Sequence, residues 1–129
     1  MGVSRAYRDA AGALQTASTV GQLEYDGLGR RTVKKITHSA DWNQTYRTYY
    51  NGQRMIEVRN DNSQVLKQYV WGLGYIDELV QVAINQDPAN ADSCATGGQT
   101  ENACERFFWA LQGVNYNVYG IVSATGDLV

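Results

Sequence analysis

Apolar and β-branched side chains recur at every second position along short runs of this chain, and the runs are broken by Gly, Asn and Asp. Tyr46, Thr48 and Tyr50 alternate with Arg47 and Tyr49, and Ile56 and Val58 alternate with Met55 and Glu57. Val65, Tyr69 and Trp71 share one side of the next run. Ile76, Val80, Val82 and Ile84 mark another, and Phe107, Trp109 and Leu111 a third. A period of two is the mark of a strand. It predicts strands over residues 22–25, 32–37, 44–50, 54–59, 64–71, 75–84, 106–111 and 118–122, with 75–84 as the principal core strand. Helix competes only over the alanine-rich residues 6–17. Gly12 and the run Thr16, Ser18, Thr19, Val20 weaken it there, so strand-turn-strand is expected.

The punctuation repeats in kind but at irregular spacing, a loose repeat rather than a strict solenoid. Tyr25-Asp26-Gly27-Leu28-Gly29-Arg30 places an Asp before two glycines, one residue apart. Gly accepts positive φ, and the Asp carboxylate can fold back onto turn amides. Asp9 and Gly12 repeat the arrangement seventeen residues earlier. Asn51-Gly52 predicts a two-residue type I′ hairpin, and Thr125-Gly126-Asp127 predicts a closing turn. Successive hairpins without helical interludes predict an all-β chain: an antiparallel meander forming a curved, open sheet. One module over residues 1–129 is expected, with an irregular loop at about 85–105.

Tyr25-Asp26-x-x-Gly29-Arg30 resembles the YD-repeat signature of RHS/YD-repeat proteins, which include bacterial polymorphic toxins and teneurin-like surface proteins. Tyr50-Asn51-Gly52-Gln53-Arg54, Gln68-Tyr69-Val70-Trp71-Gly72 and the closing residues 111–129 resemble the same register. In that closing stretch Tyr116 stands where glycine is usual. The resemblance implies part of a spiral β-shell that encloses or displays another domain, with the remainder of a larger parent polypeptide as partner. It also implies a secreted or cell-surface setting. Some relatives cleave themselves at aspartates in a D-P-x-G context. Here Asp87-Pro88 is followed by Ala-Asn, so that element is not expected. A segment of such a shell has bare edges, and bare edges invite pairing with another chain, including a homo-oligomer.

Composition adjusts this picture in a few places. Nine tyrosines against two phenylalanines, with thirteen glycines and one proline, suit a broad, half-exposed sheet. A net charge of −2 argues against a nucleic-acid partner. No apolar run reaches the ~18 residues that span a bilayer as a helix, so membrane insertion is not expected. Met1 to Arg5 lacks the apolar core of a signal peptide, and both ends suggest a piece of something larger. Cys94 and Cys104, the only cysteines, sit in the polar loop. They read as a disulfide and an oxidising compartment, with two free thiols as the alternative.

Candidate chemistry is thin. His38 beside Ser39 and Asp41 is a local crowd rather than a triad, whose members come from separate elements. Asn60, Asp61, Asn62, Asp87 and Asp92 lack the alternation of a calcium loop. No metal, cofactor or catalytic residue is assigned. Trp42, Tyr69, Trp71 and Trp109 are candidates for stacking a sugar ring or contacting a protein. Tyr25, Asp26, Gly27, Gly29, Arg30, Asn51, Gly52 and Gly126 are the repeat-turn positions. The sequence therefore points to a non-catalytic structural repeat module, with a carbohydrate- or protein-binding module as the alternative.

Overall fold

The computed structural model describes residues 1–90 and 105–129. Nine strands form among them: β1 (Gly2–Arg8), β2 (Leu14–Tyr25), β3 (Arg31–Ile36), β4 (Gln44–Asn51), β5 (Arg54–Arg59), β6 (Val65–Trp71), β7 (Leu79–Asn85), β8 (Glu105–Gln112) and β9 (Val118–Ser123). Two short 3-10 turns, Ala40–Trp42 and Pro88–Asn90, are the only helical elements among these residues. Strand order is chain order, and neighbours run antiparallel. The fold is an open antiparallel meander, the all-β class the residue pattern predicts. The chain divides into two compact units, Met1–Thr48 and Tyr49–Val129. No helix among the described residues is long and apolar enough to cross a membrane.

One five-residue turn recurs at five hairpins, beginning at Asp9, Asp26, Asn60, Gly113 and Ser123. In each, the first residue's N–H donates to the carbonyl of the fifth, and the fourth residue's N–H donates back to the carbonyl of the first. The fourth residue has positive φ every time: Gly12, Gly29, Ser63, Tyr116 and Gly126. This is the three-residue hairpin loop in which a left-handed residue forms a bulge that returns the chain in register. A side-chain oxygen reinforces four copies. Asp9 accepts from the N–H groups of Ala11 and Ala13, and Asp26 from those of Leu28 and Arg30. Asn60 accepts from Asn62 and Gln64, and the Ser123 hydroxyl from Asp127. Gly27 is not among the positive-φ residues, so of the two glycines in the Asp26 turn only Gly29 fills the left-handed position.

Three sequence expectations change. The β4–β5 hairpin turns on Gly52 and Gln53, not on Asn51-Gly52. Asn51 still belongs to β4, and of these residues only Gly52 has positive φ, at 60°. That is the pattern of a type II′ turn, with Gly at the first central position. The strand expected over 75–84 starts at Leu79. Residues 72–78 form a loop instead, because the Gly72 N–H closes onto the Glu78 carbonyl. The buried member of β7 is Ala83, 8% exposed, on the side opposite Val80, Val82 and Ile84.

Burial is sparse. Val58, Leu66, Ala83 and Thr45 are the buried residues among those described, and no side chain is fully enclosed. In the second unit, pairing sets two faces, since residues paired across strands share a side. One face carries Tyr69, Val82 and Phe108 in a row, beside the row Val58, Lys67, Ile84, Arg106. The other carries the row Val70, Gln81, Trp109, Val122, with Leu111 beside it. Both faces carry apolar rows mixed with polar residues, and among the described residues of the unit no second layer lies over either.

Candidate functional site

A side-chain network among the described residues lies at one end of the second unit, where the chain passes from β4 to β5, from β6 to β7 and from β8 to β9. The loop Gly72–Glu78 leaves several carbonyls without strand partners. Arg54, the first residue of β5, supplies the donors. Its guanidinium donates to the carbonyls of Gly72 (2.9 Å), Tyr75 (2.7 Å) and Ile76 (3.2 Å). The planar fork of arginine suits several acceptors at once. The Glu78 carboxylate accepts from the N–H of Gly74 at 2.8 Å, tying the loop from its other side. Gln112, the last residue of β8, donates to the carbonyls of Asp77 and Tyr116.

Above these hydrogen bonds the rings of Tyr75 and Tyr116 stack, with centroids 4.4 Å apart and planes 13° from parallel. Tyr116 holds φ of 59°, a conformation unusual for any bulky residue. It occupies the position where the sequence resemblance expects glycine. Its own turn therefore keeps the recurrent geometry without the usual residue. A depression of about 390 Å³, wide open to solvent, lies between Asn51, Gln53, Arg54, Leu73, Tyr75 and Ile76. Leu73 and Val114, on the flanking loops, are almost wholly exposed at 99% and 95%.

Arg54 and Glu78 are committed to the main chain. No group of three His, Cys, Asp or Glu side chains among the described residues gathers to hold a metal ion. His38 lies in the first unit, with its Nδ1 3.1 Å from the Thr19 carbonyl.

The sequence-predicted stacking residues are dispersed. Trp42, 76% exposed, lies in the 3-10 turn of the first unit. Tyr69 and Trp71 are half-buried in β6, and Trp71 donates its indole N–H to the Met55 carbonyl at 2.7 Å. Burial pushes the Tyr69 phenol above its ordinary pKa. Trp109 sits on the opposite face of the sheet from Tyr69. Tyr25 ends β2 opposite Arg31, and Arg30 pairs with the Asp26 carboxylate at 2.7 Å. Cys94, Cys104 and Asp92 lie outside the described residues.

Arg54, Glu78, Gln112 and the Tyr75–Tyr116 stack were not singled out as site residues by pattern. The available signal was the Gly72-Leu73-Gly74 break, whose carbonyls need donors from elsewhere. No protein-family model matches this chain, and no curated protein matches it.

Proposed function

We propose that this chain is a non-catalytic repeat module, a YD-repeat-like segment that builds part of a β-scaffold in a larger secreted or cell-surface protein. Its work in that setting is to enclose or display another domain, and its partner is the remainder of the parent polypeptide. The observation that supports this reading best is the recurrence of one hairpin turn at Asp9, Asp26, Asn60, Gly113 and Ser123, whose hydrogen-bond pattern is the same each time. The first two copies lie seventeen residues apart and the third thirty-four beyond the second. A scaffold extended by repetition needs a local, self-sufficient device that resets register at each reversal. This turn supplies it.

The test is transplantation. Residues 26–30 are grafted in place of residues 60–64, and separately of 113–117, in the full chain. Interchangeable repeat units predict folded chimeras by far-ultraviolet circular dichroism, with Tm within a few degrees of the parent or above it. Loss of sheet signal in both chimeras would reject the repeat reading.

A further inference from the structure

We propose that Asn51 is a site of spontaneous covalent modification, at which the Gly52 main-chain nitrogen attacks the Asn51 carboxamide and converts it to aspartate or isoaspartate. The chain holds two pairs in which Asn or Asp precedes Gly, Asp26-Gly27 and Asn51-Gly52. Such pairs close most readily to a five-membered succinimide, because glycine has no side chain to crowd the attacking nitrogen. Asparagine is thermolabile by this route.

The structure separates the two pairs. The Asp26 carboxylate accepts from the N–H groups of Leu28 and Arg30 and from the Arg30 side chain. The Arg30 N–H foremost keeps it ionised by lowering its pKa, and an ionised carboxylate offers no leaving group. The side-chain oxygens of three asparagines are held as well. Asn43 accepts from the Ser39 N–H, Asn60 from those of Asn62 and Gln64, and Asn85 from that of Asp87. No hydrogen bond among the described residues holds the Asn51 carboxamide. Asn51 and Gly52 are both exposed. Apart from its chain neighbours, no atom lies within 4 Å of the point where a side chain on Gly52 would begin. Attack requires the Asn51 main chain to leave its extended conformation. Asn51 is the last residue of β4, and element ends open at little cost in free energy.

The reaction balances with water alone. A bond forms between the Gly52 nitrogen and Asn51 Cγ, and the amide nitrogen leaves as ammonia, carrying the proton that the Gly52 nitrogen loses. Water then opens the ring at one carbonyl or the other, giving aspartate or isoaspartate. Either product places a carboxylate in the depression that Asn51 shares with Arg54. Isoaspartate also routes the main chain through the side-chain carbon, which adds one backbone atom where β4 enters its turn.

The experiment incubates the full chain in mildly alkaline buffer at physiological temperature, folded and in denaturant, and follows it by tryptic mapping and mass spectrometry. Cleavage after Arg47 and Arg54 isolates Asn51 from every other asparagine. Asn51→Gln is the control, with circular dichroism to show that it folds. If it does not, the comparison among asparagines of the wild type decides alone. The expected result is conversion of folded wild type at Asn51 at least about tenfold faster than at Asn43, Asn60 or Asn85. Isoaspartate should be among the products, Asp26 should form none, and Asn51→Gln should show no comparable gain at its position. An Asn51 that stays intact in the folded chain while the denatured chain reacts overturns the proposal. So does a rate no greater than at the other three asparagines, or a product that is aspartate without isoaspartate, which would mean direct hydrolysis.

Discussion

Tyr116 sets two effects of similar size against each other. A left-handed backbone conformation costs a non-glycine residue about 1–2 kcal/mol. An aromatic stack such as that with Tyr75 returns about 0.5–1.5 kcal/mol beyond its area burial. Tyr116→Gly should therefore change stability by less than about 1 kcal/mol. Tyr75→Ala, which removes the stack and keeps the strain, should destabilise by about 1 kcal/mol or more. In a denaturant double-mutant cycle the two changes should be non-additive, and strict additivity would show the rings to be energetically independent. The capping carboxylates permit a sharper test. Gln15 foremost holds the Asp9 carboxyl below its ordinary value, and the Arg30 N–H foremost does the same for Asp26. A depressed folded-state pKa contributes stability above the unfolded value, near 3.8, and that stability disappears as pH falls through the folded value. Asn60 performs the same capping with an amide. Asp9→Asn with Asp26→Asn should therefore keep both turns while flattening the acid limb of a Tm-against-pH profile. An unchanged acid limb would place acid sensitivity elsewhere.

Among the elements, most strands and the Asp-Gly and Asn-rich turns were legible, and the extension of the Gly72 break to Glu78 was not. The period of two located β4, β5, β6 and β8 to within a residue or two, because alternation is imposed by strand geometry itself. The competition between helix and hairpin at residues 6–17 resolves in favour of the hairpin because Asp9 and Gly12 satisfy the turn locally. Residues 75–78 look like strand by composition, yet Arg54, some twenty positions away, draws their carbonyls into a loop. No local pattern encodes such a contact. The same limit hid the Tyr75–Tyr116 stack, whose members are neighbours only after β6 to β9 have paired. Arg54→Ala should destabilise the second unit by about 1–2 kcal/mol, a partial loss because water can reach some of the freed carbonyls. Arg54→Lys should recover less than half, since an ammonium cannot span the three acceptors as a fork does. Hydrogen exchange at the Gly72 and Glu78 amides would read the loosening directly. Unaltered protection in Arg54→Ala would show that the loop holds itself.

At the scale of the molecule, alternation predicted where apolar side chains would stand but not that both faces of a sheet would carry them. An ordinary two-layer domain of this length would show a heat-capacity change on unfolding of about 1.5–1.9 kcal/mol/K. With so few buried side chains among the described residues, this chain should fall clearly below that range in calorimetry, and a value inside it would mean far more apolar burial than those residues account for. The recurrent turn has a historical corollary. Asp, Asn, Ser and even Gly all serve as its first residue, so neutral drift can exchange them while the backbone path survives. A lineage built from such hairpins can lengthen by gene duplication and then lose the written trace of its copies within a few substitutions per turn. Common ancestry among these hairpins would outlast any spelling of it, kept in main-chain hydrogen bonds that selection sees and codons do not record.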